Sequence, residues 1–130
     1  MPHIKFEYSA NLESQTDISE LCVALREAAM QSGVFPLAGV RVRAFRCDHA
    51  LIADGNPANS FIDMSVRLRG GRSLEDRQRA TEMIFDAAKA HLQPLIDTIP
   101  IAVSLEMRDI DPALSPKLNT IRKTLEDQTA

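Results

Sequence analysis

Hydrophobic and polar residues alternate from the start of the chain. Ile4, Phe6 and Tyr8 stand against Lys5 and Glu7, a period of two that predicts a strand over residues 2–9. Asp17 and Glu20 then make a pair of the capping-box kind. After it Ile18, Leu21, Cys22, Leu25, Ala28 and Ala29 recur at helical spacing, and Gly33 is the expected stop. Pro36 and Gly39 discourage further helix, and residues 40–47 predict a second strand. Its Val40, Val42 and Ala44 face one side, and its Arg41 and Arg43 the other. The segment ADGNPANS (residues 53–60) reads as a loop and divides the chain into halves.

The second half repeats the order of the first. Residues 61–69 are strand-like, with Ile62, Met64, Val66 and Leu68 on one face. Ser73 with Asp76 marks a helix start, and Leu74, Ala80, Met83, Ile84, Ala87, Ala88 and Leu92 form its apolar stripe. Pro94 is expected to end or kink that helix. Ile101, Val103, Leu105 and Met107 make a fourth strand, and a short helix is expected over residues 117–126. The pattern is β-α-β twice, over about residues 2–52 and 60–110, in a single domain of residues 1–130. This is an α+β fold built from α/β units, a four-stranded sheet with two long helices on one face. A crossover of helix length implies parallel, right-handed pairing within each unit. The opposite face is left bare, and the apolar and arginine side chains expected there predict that other subunits cover it.

At 130 residues such a domain buries about two-thirds of its unfolded surface. No apolar run reaches the length of a membrane span, and the start lacks the order of a secretory signal, so a cytoplasmic location without membrane contact is expected. The net charge of −3 argues against a nucleic-acid partner. Arginines nevertheless cluster, as Arg41, Arg43 and Arg46 and as Arg67, Arg69 and Arg72. Local positive potential on a mildly acidic chain suits a small anion. Cys22 and Cys47 form no redox or metal motif, and His3, His49 and His91 lack zinc-ligand spacing, so no metal is expected.

Pro2 follows Met1 directly, and removing Met1 leaves Pro2 as a free secondary amine able to accept and return a proton. Arg41 lies on the second strand. Arg72 ends a glycine turn (Gly70, Gly71) at a helix N-terminus, where free N–H groups favour a carboxylate and a guanidinium can bind one through two hydrogen bonds. Fixed cations and partial desolvation disfavour the ammonium form of the amine, so that it works as a base near neutral pH. The same cations stabilise a dienolate formed between two proton transfers. One residue acting as base and then acid, with no cofactor, is the expected chemistry.

Four blocks carry a resemblance: MPH at the start, GVFPLAGVRVR at residues 33–43, ADG at 53–55 and GGRSLEDRQ at 70–78. Their order and spacing resemble the tautomerase superfamily, and are similar to its 5-carboxymethyl-2-hydroxymuconate isomerases over nearly the whole chain. Shorter relatives of the 4-oxalocrotonate tautomerase type hold an N-terminal proline, a GRS-like turn and a VRV strand in one β-α-β unit. Here the proline and VRV stand in the first half and GRS in the second. The resemblance implies that Pro2 is the catalytic proline and that Arg41 and Arg72 are the arginines of the VRV and GRS motifs. Ser73 and Arg43 join Arg41 and Arg72 as candidate substrate-binding residues, with Arg43 and Arg46 as candidates for a third carboxylate. The resemblance also implies a homotrimer in which Arg41 serves the Pro2 of a neighbour. The implied reaction takes the 2-hydroxy proton of a tricarboxylate muconate dienol to C5, in bacterial breakdown of homoprotocatechuate. Rival readings are a phenylpyruvate-type keto–enol tautomerase, an oxo-acid decarboxylase, or a trimeric ligand-binding protein without turnover.

Overall fold

The computed structural model describes residues 2–129. Strand β1 (His3–Ser9) buries Ile4, Phe6 and Tyr8 on one face, as its alternation requires. Helix α1 (Ile18–Gln31) starts where the Asp17 carboxylate accepts from the Glu20 N–H at 3.0 Å, and buries Leu21, Leu25, Ala28 and Ala29. It ends before Gly33, whose φ of +73° lies in the left-handed region. A 3-10 turn at Leu37–Gly39 leads into β2 (Arg41–Cys47), with Val40, Val42 and Ala44 against the core as expected. Strand β3 (Ser60–Arg69) buries Ile62, Met64, Val66 and Leu68. Helix α2 (Leu74–Ile96) buries Ala80, Ile84, Ala88 and Leu92, while Leu74 stays exposed in its first turn. Strand β4 (Ile101–Ile110) and helix α3 (Ile121–Thr129) complete the chain.

The sheet runs β2-β1-β3-β4, with β1 parallel to β2, β3 parallel to β4, and β1 antiparallel to β3. The two long helices touch each other above its buried face, in the duplicated β-α-β arrangement expected from the sequence.

Three expectations need correction. Pro94 does not end α2, which continues to Ile96; so close to the end, the N–H that proline lacks removes a single bond from the helix ladder. The last helix begins at Ile121 rather than at residue 117, because the Asn119 side chain accepts from the Ile121 N–H at 2.8 Å and starts it there. The bare sheet face carries the expected arginines, but fewer apolar than polar and charged side chains. Its rows, read across β2, β1, β3 and β4, are Arg41–His3–Arg67–Arg108, then Arg43–Lys5–Ser65–Glu106, then Phe45–Glu7–Asp63–Ser104, with Cys47, Ser9, Phe61 and Ala102 beyond. The face is cationic at one end, carries Glu7 and Asp63 side by side further along, and ends on Phe61 and Ala102.

Candidate active site

Parallel pairing of β1 and β2 sets the site. The Arg41 N–H donates to the Pro2 carbonyl at 3.2 Å, placing the buried proline against the first arginine of the VRV strand. Register then aligns Arg41, His3 and Arg67 across three strands. These three, with Arg69, line a pocket of about 500 Å³ whose far wall is the segment after β4, including Lys117 and Leu118. A second pocket, about 380 Å³, is lined by Arg72, Arg122, Pro36, Gly39 and Asn119. The two pockets adjoin, with Arg69, Lys117 and Leu118 lining both as the common wall of a two-part trough. Among the described residues, no aspartate or glutamate lines either part.

Four of the expected residues, Arg72, Ser73, Arg43 and Arg46, have partners within the chain. Arg72 is tied to two backbone carbonyls. Its Nε donates to the Val34 carbonyl at 3.0 Å and its Nη1 to the Arg69 carbonyl at 3.2 Å, with the guanidinium 5.9 Å from the Phe35 ring centre. Three of its five N–H donors remain for a ligand. The helix N-terminus is occupied by its own cap, since the Ser73 hydroxyl accepts from the Asp76 N–H at 3.0 Å and Glu75 and Asp76 occupy the first turn. Ser73 is thus committed to the cap, leaving only its hydroxyl proton for a ligand. Arg43 lies on the bare sheet face, where its Nη1 donates to His3 Nδ1 at 3.3 Å. Arg46 is ion-paired with Asp48 at 2.9 Å, outside the trough.

His3 gains a defined tautomer from this contact. Arginine has only donors, so Nδ1 accepts and the ring proton sits on Nε2. Burial, followed by the charges of Arg67, Arg43 and Arg41, holds the His3 pKa below its usual value and keeps the ring neutral. His3, Arg67, Arg69 and Lys117 had no assigned role in the sequence. The clustering of Arg67 and Arg69 with Arg72 was the one visible signal, whereas Lys117 reaches the site only because the chain folds back. Among the described residues, no group of three His, Cys, Asp or Glu side chains is arranged to hold a metal ion.

The 5-carboxymethyl-2-hydroxymuconate isomerase family model matches residues 2–125. The chain is 35% identical over 121 residues to the 5-carboxymethyl-2-hydroxymuconate Delta-isomerase of Escherichia coli, covering 93% of this chain and 96% of that protein.

The chain belongs to this isomerase family.

Solved structures agree with the assignment. The crystal structure of a 5-carboxymethyl-2-hydroxymuconate delta-isomerase superposes with a TM-score of 0.89 at 28% identity, covering 96% of this chain and 93% of that one. A 5-carboxymethyl-2-hydroxymuconate isomerase from Deinococcus radiodurans R1 gives 0.89 at 26% identity, covering 95% and 93%. The family match runs from Pro2 through Arg41 and Arg72 to beyond Lys117, so it takes in the whole trough.

Proposed function

We propose that this chain isomerises 5-carboxymethyl-2-hydroxymuconate without a cofactor, using Pro2 as the proton carrier. With Met1 removed, the Pro2 amine takes the proton of the substrate 2-hydroxyl. The electron pair left on oxygen moves through the diene, making C2 a ketone and C5 the carbanionic end of a dienolate. The prolinium returns the proton to C5, giving the 2-oxo-3-ene isomer with no change in composition. Arg41 and Arg72 hold substrate carboxylates and stabilise the dienolate charge. Met1 itself lies outside the described residues.

The observation that carries this reading is the Arg41 to Pro2 backbone hydrogen bond at 3.2 Å, beside a trough lined by cations and, among the described residues, free of carboxylates. A trianionic substrate matches that lining, and a monocarboxylate leaves most of it unused. The same reading places the protein in the cytoplasm, in homoprotocatechuate breakdown, as a homotrimer. The bare sheet face supports the trimer, because both long helices pack on the opposite face and leave this one for other copies to cover. Light scattering should then give about three times the 14.4 kDa chain mass.

The test follows loss of dienol ultraviolet absorbance for the purified protein and Pro2→Ala, with intact mass confirming loss of Met1 in both. Fast isomerisation that the substitution abolishes supports the reading. Absence of turnover by correctly processed protein overturns the substrate assignment, and equal turnover by Pro2→Ala overturns the role of the proline.

A further inference from the structure

The trough holds more cations than the two motif arginines, and two of them, Arg69 and Lys117, are not paired with any carboxylate among the described residues. Arg26, Arg46, Arg77, Arg79, Lys89 and Arg108 each form an ion pair with a carboxylate. Among the described residues, the side chains of Arg69 and Lys117 make neither an ion pair nor a hydrogen bond, although both line the two parts of the trough.

Lys117 is delivered there by a specific device. The segment after β4 is not held by apolar burial, since Leu114 is 79% and Leu118 88% exposed. A clip holds it instead: the Asn119 amide donates to the Ala38 carbonyl at 2.8 Å, in the turn that precedes β2. The same Asn119 side chain accepts from the Ile121 N–H and starts α3, so the segment is fixed on both sides of this residue. The candidates that sequence offered for a third carboxylate are engaged elsewhere, Arg43 with His3 and Arg46 with Asp48.

We propose that Lys117, joined by Arg69 and positioned by Asn119, binds a substrate carboxylate remote from the reacting carbons and so selects polycarboxylates over monocarboxylates. A lysine ammonium is a compact charge on a flexible stem, suited to a carboxylate whose orientation the chemistry does not fix. The identity of the natural substrate rests on the isomerase reading; the polyanion preference does not, because it can be measured without turnover.

The experiment is calorimetric titration of the processed protein with tricarballylate, an unreactive tricarboxylate, and with propionate as the monocarboxylate probe. Lys117→Gln and Arg69→Gln should each weaken tricarballylate binding about tenfold and change propionate binding by less than about twofold. Asn119→Ala should weaken tricarballylate in the same direction, the mark of a positioning residue. Lys123→Gln makes the same change of charge on α3 outside the trough and should leave tricarballylate binding as it was. In turnover, Lys117→Gln should raise KM for the tricarboxylate while kcat holds. Equal tricarballylate affinity in the parent protein and Lys117→Gln overturns the proposal, as does an equal loss in Lys123→Gln. If the parent protein binds tricarballylate through Lys117 yet does not isomerise the muconate, the isomerase reading fails and this one stands.

Discussion

Arg72 has a structural role and a proposed chemical one, and its removal should reveal both. Its guanidinium donates to the carbonyls of Val34 and Arg69 and lies over Phe35, a ring only 5% exposed. Arg72→Ala leaves both carbonyls without these donors. Each charge-assisted bond in this half-exposed setting contributes about 1 kcal/mol, and the cation–ring contact about 0.5, so the loss of stability should be about 2–3 kcal/mol. For a domain of this size that lowers Tm by about 10 °C. Removing the cation from the trough should also lower kcat/KM by about 10–100-fold, equivalent to about 1.4–2.8 kcal/mol. Arg72→Lys separates the two roles: it restores the charge but cannot bridge two carbonyls as a planar fork does. Its stability should resemble that of the alanine variant, and its kcat/KM should fall between alanine and arginine. Urea unfolding at fixed protein concentration gives the first quantity and dienol kinetics the second. If Arg72→Ala is within about 0.5 kcal/mol of the parent protein, the carbonyl lock is refuted. Unchanged kcat/KM removes Arg72 from the site.

Gly71 has φ +107° and open space where a Cβ would stand, so Gly71→Ala should cost about 1–3 kcal/mol from backbone strain alone. Gly70→Ala, whose Cβ meets the Ile110 carbonyl at an ordinary 3.4 Å, should cost less, and the reverse order in urea unfolding would contradict the strain assignment. Tyr8 is the only tyrosine of a chain without tryptophan, and burial, then its hydrogen bond to Glu13 and that carboxylate's charge, push its pKa up to about 12. Because the folded value exceeds the unfolded 10.0, the stability it contributes is complete below pH 10 and is lost between pH 10 and 12; tyrosinate absorbance rising at pH 10 in folded protein would refute this. His3 titrates below its usual 6.5 in the folded protein, so protons favour the unfolded chain and stability falls as pH drops below 6.5. His3→Gln should flatten that part of the pH–stability curve, and a His3 ring resonance titrating at or above 6.5 in NMR spectra would contradict it. Finally, kcat/KM for the tricarboxylate should fall several-fold as salt rises from about 0.01 to 0.3 M, since the Debye length shrinks from about 30 Å to well under 10 Å; a flat dependence would show that the trough cations do not attract the substrate.

The elements of this fold were legible wherever a period was uninterrupted. The alternations of β1 and β3 and the stripes of both long helices needed nothing beyond local pattern, and Asp17 and Ser73 marked the helix starts to the residue. Misreadings occurred where a local rule met a longer-range constraint. Pro94 looked like a stop but stands too near the helix end to break more than one bond. Residues 117–120 looked helical, yet Asn119 is committed to Ala38, a contact across 81 residues that no window of sequence contains. The same limit governed the site. The motif residues Pro2, Arg41 and Arg72 could be picked out, but the Val34 carbonyl that anchors Arg72 lies on a loop remote in sequence.

The placement of Lys117 follows from one feature of the sheet, the antiparallel join between its two parallel units. Because β1 pairs antiparallel with β3, His3 at the start of β1 stands beside Arg67 near the end of β3. Because β3 runs parallel with β4, the end of β3 is also the end of β4, and the Gly70 N–H donates to the Ile110 carbonyl there at 3.1 Å. The chain leaving β4 therefore emerges at the edge of the sheet where Pro2 and Arg41 begin their strands. Had the halves met in parallel, that segment would have emerged beside Ser9, at the far end of β1. A duplicated unit joined in this way brings its C-terminal extension to the end of the sheet where its first half begins, and the proposed third carboxylate site depends on that placement.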